Sequence, residues 1–234
     1  NGTPDDGAPG ETVRSALVFD ETPTVDDAAL HALTAGQVEL ARDLLDLGGT
    51  AQNQALSPVS ISMAFAMLSA GAHGDTLSEL EGALHFPAQD VLHPAMNALL
   101  VALRARDVPP SDDNDGALLS PVNQIFQERT FDVESAFLDT LGVGYDAGLQ
   151  LVDFENSPDP TRLAINDWVL EQTHERIADL LPEGSIDSLT RLVLVNALYL
   201  KAAWQEAFQA ESTNDGTFHA AGGDVTVPFL RGDI

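Results

Sequence analysis

The run Leu192–Leu200, Leu-Val-Leu-Val-Asn-Ala-Leu-Tyr-Leu, is the most continuously apolar stretch of this chain, and a single amide interrupts it. Nine residues of this kind, with β-branched Val193 and Val195 among them, predict a strand buried on both faces rather than an alternating surface strand. Such a strand needs material packed on each side of it, so it sets the architecture for the rest of the chain. It also sets a chemical demand. Asn196 lies inside the run, and an unpaired buried amide costs on the order of 1–3 kcal/mol, so another segment must supply its partners.

The rest of the sequence can meet that demand, since 234 residues with 44% hydrophobic content are enough for one large domain or two small ones. The charge balance narrows the partners. Thirty-seven acidic against ten basic residues give a formal net charge of −27, and Lys201 is the only lysine. A field of that sign repels phosphate backbones and anionic lipid surfaces, which argues against nucleic-acid and membrane partners. The absence of cysteine rules out disulfides and thiolate metal sites. No apolar run approaches the length of a membrane span, and the first residues lack the pattern of a secretion signal, so an exported protein would already have lost its leader.

Residues 1–25 are rich in Gly, Pro, Asp and Thr and are expected to form a mostly flexible acidic tail. From Asp26 the apolar residues take helical spacing, with Leu33, Leu40, Ala41, Leu44 and Leu45 on one face and Gly48-Gly49 as the stop. Ser57-Pro58 opens a second helix with Ser57 as the cap, and Thr76 with Glu79 has the spacing of a capping box. A further helix is expected from Pro94 to Arg106, then a strand over Ala117–Phe126 in which Pro121 cannot donate to a ladder. A helix around Glu134–Leu141, a strand around Val143–Val152, a helix over Pro160–Thr173 and the central run follow. This order suits a mixed α+β domain better than a regularly alternating one. There is no internal repeat.

No catalytic constellation emerges. Glu171 and His174-Glu175 have the letters of a zinc helix in the wrong spacing, and the six histidines are scattered. A nucleophile elbow is missing, and Arg231-Gly232-Asp233 is too short a match to a cell-adhesion tripeptide to carry weight. We therefore expect no cofactor and no metal. Ser57, Ser60 and Asn196 stand out as a polar group, and each also has a plain structural reading as cap, first-turn hydroxyl and satisfied core amide.

Two longer patterns add to this. Asn53 through Ser57-Pro58, Ser60-Ile61, Gly71-Ala72, Gly74 and Thr76 resembles the signature of the serpins, and Thr190 through Lys201, Trp204, Phe208 and Thr213 resembles their central strand and the segment after it. The likeness runs from about Asp26 to Leu230 and corresponds to about the first three-fifths of a serpin. It implies an α+β fold with many helices, a large mixed sheet A and parts of two smaller sheets, with residues 26–234 forming the N-terminal portion of a single domain. It places Ser57, Ser60 and Asn196 in the shutter, where the sheet opens, and Lys201 and Trp204 in the breach, where loop insertion begins. Leu200 and Ala202 stand where the family usually has Phe and Gly. The reactive centre lies outside these residues.

The function implied is that of a bait rather than an enzyme. Such a protein traps a serine or cysteine protease by inserting its cleaved loop beside Leu192–Leu200, in a secreted or cell-envelope setting. A non-inhibitory serpin acting as carrier, chaperone or structural protein is the alternative. The implied partners are the target protease and the C-terminal remainder of the same serpin as a second polypeptide.

Overall fold

The computed structural model describes residues 10–48, 56–109, 116–204 and 206–231. Asn53 of the signature, and the Gly-Asp of the adhesion-like tripeptide, lie outside them. Among the described residues the helices are α1 (Asp27–Gly48), α2 (Pro58–Ser69), α3 (Gly74–Ala83), α4 (Gln89–Arg104), α5 (Ser135–Tyr145) and α6 (Pro158–Gln172). The strands are β1 (Thr12–Val13), β2 (Ala117–Glu128), β3 (Leu149–Val152), β4 (Leu192–Ala202), β5 (Asn214–Ala220) and β6 (Gly223–Phe229). They form a mixed sheet in the order β1-β3-β2-β4 and a separate β5-β6 pair, which is the α+β architecture the sequence suggests.

The pleat divides the core in two. Ile125 of β2, Leu149 of β3 and Leu194 of β4 face a large cluster built from α1, α2, α4 and α5, around Met63, Met67, Leu92, Met96 and Leu141. Their neighbours Phe126, Val152, Val193 and Val195 point the other way, into a smaller cluster with Phe154, Ile165, Val169 and Trp168 of α6. Alternation at period two is therefore present in β4, hidden in the sequence because both faces are apolar. Burial on both faces holds only for its first half. Leu198 is 42% exposed and Leu200 66%, because neither helical layer reaches the far end of the strand among the described residues.

β2 runs straight through Pro121, which pairs with Leu198. The Glu128 amide donates to the Arg191 carbonyl at 2.9 Å, so even-numbered residues of β2 exchange hydrogen bonds with β4 and odd-numbered ones face away. The missing donor of Pro121 thus lies on the side where β3 pairs only from Ile125 onward. That is where a proline costs the ladder nothing.

Several expected boundaries move. α4 begins at Gln89 and carries Pro94 inside it, where the ring removes one early helical bond while Leu92, Ala95 and Met96 are buried. α3 starts at Gly74 with no side-chain cap, so Thr76 and Glu79 do not form the capping box. α5 continues to Tyr145 and ends on Asp146 in the left-handed region, which delays β3 to Leu149.

The largest difference is at the N-terminus. Residues 10–23, expected to belong to a flexible tail, run along the body: β1 pairs antiparallel with β3, Arg14 reaches Asp146 at 3.4 Å, and the Asp20 amide donates to the Val143 carbonyl at 3.0 Å. Phe19 packs against the main core and under the Arg104 guanidinium, 4.8 Å from the ring centre. Gly142 permits the approach, since a Cβ there would stand 3.0 Å from that of Ser15.

Candidate functional site

The site grows out of the start of α2. Pro58 occupies the first turn, and Ser57 caps it by accepting from the Ser60 amide at 3.4 Å. The Ser57 hydroxyl also donates to the Ser60 hydroxyl at 2.9 Å, so the two serines satisfy each other at the mouth of the helix. One turn on from Ser60 is Met63, fully buried, whose sulfur points at the sheet.

There the second half of the group is assembled. Asn123 of β2 pairs with Asn196 of β4, and the parity set by Glu128 and Arg191 makes this a non-hydrogen-bonded pair, in which side chains approach most closely. The Asn196 amide donates to Asn123 Oδ1 at 2.6 Å, and Asn123 Nδ2 reaches the Met63 sulfur at 3.1 Å. A polar chain therefore runs from β4 through β2 into α2. Asn196 is half-buried, with its demand for a partner met across the sheet. The serines join this chain through α2, with no direct hydrogen bond to Asn196 among the described residues.

Asn123 is the participant that sequence reasoning missed. Its own strand was legible, but its register against a strand 73 residues away was not. Lys201 and Trp204 are placed apart from this group, at the exposed end of β4 and just past it. Trp204 is 70% exposed among the described residues and touches Phe208 edge to face at 5.4 Å.

On the opposite face, α6 is tied down by charged and polar contacts. The buried Glu128 carboxylate accepts from the Phe154 and Glu155 amides at 2.7 and 3.1 Å, and from the amide and hydroxyl of Thr130. Arg162 donates to Asp159 at 2.7 Å and to the Leu181 carbonyl at 2.8 Å, and Asn166 donates to Asp179 and Leu181 at 3.0 Å each. His174 packs at 4.4 Å on Tyr199, linking the end of α6 to β4.

Among the described residues no group of three or more His, Asp or Glu side chains is placed to hold a metal ion, and no helix is long and apolar enough to cross a membrane.

Residues 34–233 match the family model described as Serpin (serine protease inhibitor). The leukocyte elastase inhibitor of Bos taurus is 38% identical over 192 residues, covering 81% of this chain and 49% of that protein. An uncharacterised serpin-like protein of Thermococcus kodakarensis is 35% identical over 187 residues, covering 80% and 42%. Among solved structures, an Arabidopsis serpin in its native stressed conformation aligns with a TM-score of 0.70 at 28% identity, over 89% of this chain and 53% of that one. Ovalbumin from emu aligns with a TM-score of 0.71 at 27% identity, over 86% and 53%. The chain spans about half the length of the curated relatives it matches. With the signature at the start of α2, the apolar strand β4 and the fold all in agreement, the chain belongs to the serpin family.

Proposed function

We propose that the protein is a serpin-type inhibitor that traps a serine or cysteine endopeptidase by inserting its cleaved reactive loop into the main sheet beside β4. The observation that carries this reading is the edge of β4. It is the outermost strand of the sheet among the described residues, and the register turns the backbone groups of Leu192, Leu194, Asn196, Leu198 and Leu200 outward. An inserted strand would find a continuous row of donors and acceptors there. Each ladder bond gained contributes roughly 0.5–1.5 kcal/mol net, so about a dozen rival the stability of an ordinary domain, about 5–15 kcal/mol.

On this reading Ser57, Ser60 and Asn196, joined by Asn123, act as the shutter, and Lys201 and Trp204 line the breach. A few neutral hydrogen bonds can be exchanged as strands part, whereas interlocked apolar packing would have to be undone and remade. The exposed Leu198, Leu200 and Trp204 lie at this border, where the remainder of the serpin fold would pack. We place the protein in a secreted or cell-envelope setting with its target protease.

Leu200 and Ala202 support a second reading, a non-inhibitory carrier, chaperone or structural serpin, because they replace the Phe and Gly usual at the breach. Mixing the full-length protein with serine and cysteine proteases decides between them. A gel-stable complex, together with a higher unfolding midpoint after cleavage of the loop, supports inhibition. Equal midpoints and no complex support the second reading.

A further inference from the structure

The border of the main sheet opposite β4 is covered by the N-terminal segment, which is docked there as a peptide ligand would be. The Gly10 amide donates to the Leu151 carbonyl at 2.8 Å, the Leu151 amide donates to the Glu11 carbonyl at 3.1 Å, and Thr12 and Val13 pair antiparallel with β3. Addition of one strand to a sheet edge, with pockets for selected side chains, is a general mode of peptide recognition. Two such pockets follow. Arg14 donates to the Asp146 carbonyl at 3.2 Å and reaches its carboxylate at 3.4 Å, and five residues later the partly buried Phe19 ring sits between the main core and the Arg104 guanidinium.

The groove is shaped for this occupant, yet its floor has supports of its own. A Cβ at Gly148 would stand 2.5 Å from Arg14 Cγ and 2.8 Å from the Val13 carbonyl oxygen, and one at Gly142 would stand 3.0 Å from Ser15 Cβ, so both glycines leave room that the segment fills. Beneath it, Asn97 donates to the Val143 carbonyl at 2.8 Å, His93 Nδ1 lies 2.7 Å from the Tyr145 hydroxyl, Arg104 holds Asp146 at 3.2 Å, and β2 pairs with β3 along Leu149–Val152. The occupant is held more lightly. Leu17 and Val18 are exposed, the Arg14 and Asp146 side chains are each about half-exposed, and a cavity of about 480 Å³, lined by Asp20, His93 and Asp139 among others, separates the end of the segment from α4 and α5. A segment with so few buried contacts opens at a lower free-energy cost than the body it lies on.

We propose that this groove is a binding site for an extended peptide carrying an arginine and, five residues later, an aromatic side chain, and that residues 10–20 are its resident occupant, held in cis and exchangeable. The incoming peptide adds to β3 as a strand, with its arginine on Asp146 and its ring against Arg104. The site lies on the far border of the sheet from β4, and nothing in the inhibitory reading uses it.

Fluorescence anisotropy of a labelled synthetic peptide of residues 10–20, titrated with the full-length protein, tests this. In the wild type the tethered segment has an effective concentration on the order of millimolar and should keep the free peptide out. Arg14→Ala with Phe19→Ala removes both anchors of the tethered segment, and the peptide should then bind saturably and roughly tenfold or more tighter than to the wild type. If that variant fails to fold, Arg14→Glu, an exposed change that sets a second carboxylate against Asp146, takes its place with the same expectation. Adding Gly148→Ala should abolish binding, because the atoms nearest the new methyl group are those of the occupant. Adding Asp146→Asn, at a left-handed position that asparagine tolerates, should weaken this peptide several-fold while leaving the affinity of a peptide with Arg14→Ala unchanged. No saturable binding once the anchors are removed, equal affinity for that variant and the wild type, or binding that Gly148→Ala leaves intact would overturn the proposal.

Discussion

The two faces of the sheet are held by opposite kinds of polar chemistry. Toward α2, Asn196, Asn123 and Met63 form a short neutral chain in which each link is one hydrogen bond, the last of them to a weakly accepting sulfur. Toward α6, Glu128 gathers donors from two segments of backbone while Arg162 and Asn166 fasten the helix to the stretch around Leu181. Charge-assisted bonds are about twice as strong as neutral ones, and a buried carboxylate has no substitute partner if its donors leave. The difference separates a seam that can be rearranged from a clasp that cannot.

Breaking the clasp should have the largest effect. Glu128→Ala leaves the amides of Phe154 and Glu155 and the Thr130 hydroxyl without their acceptor, and we expect a loss of about 4 kcal/mol, read as a lower urea midpoint. Glu128→Gln should recover part of it, because an amide oxygen can still accept. If Glu128→Ala unfolds at the wild-type midpoint, the clasp is ornamental and the comparison collapses.

Acidification comes next, through a third polar contact that belongs to neither face. The folded pKa of His93 is about 4 against an ordinary 6.5, so between those values the unfolded chain binds more protons. Stability is complete above pH 6.5 and falls as pH drops toward 4, by about 3 kcal/mol in all. Asp20 and Asp139 line the same cavity as this ring, and Tyr145, whose hydroxyl burial raises further above its ordinary range, stays neutral throughout. Denaturant midpoints at pH 7 and 4.5 should therefore differ less in His93→Gln than in the wild type.

The seam is tested by a cycle. Asn123→Leu strands the Asn196 donor and should cost about 1–3 kcal/mol, whereas Asn123→Leu with Asn196→Leu removes both partners and should cost less than the two single losses added together. On the inhibitory reading, Asn196→Leu in the full-length protein also changes the rate of spontaneous loop insertion or polymerisation more than it changes stability. Additive single losses would show that the amides do not act as a pair. Ser57→Ala is the mildest change, at about 1 kcal/mol for a lost helix cap, measured as a small fall in the thermal midpoint.

How much of this was legible depended on how local each signal was. The apolar strand, the cap at Ser57 and the demand of Asn196 for a partner are each written in a few neighbouring residues, and the family signature sits on the same elements. Asn123 could not be read, because its role comes from a register across β2 and β4 that no local pattern encodes. The segment 10–23 was misread for a related reason: its hold on the body comes from backbone pairing with β3, one phenylalanine and an arginine at Asp146, none of which alters its tail-like composition. Exposure at Leu198, Leu200 and Trp204 depends on what lies against the end of β4, which an apolar run cannot report.

Pro121 makes the bare first half of β2 a poor border for a further strand. Between the bridge of Ala117 to Val108 and the start of β3 pairing at Ile125, the outward side of β2 carries a ring where an amide hydrogen would be, so a foreign strand arriving there finds the ladder interrupted. β4 contains no proline and presents an unbroken row on its own outer side. On the inhibitory reading, a strand that inserts beside β4 meets an uninterrupted ladder there, which the first half of β2 could not offer on its own outer side.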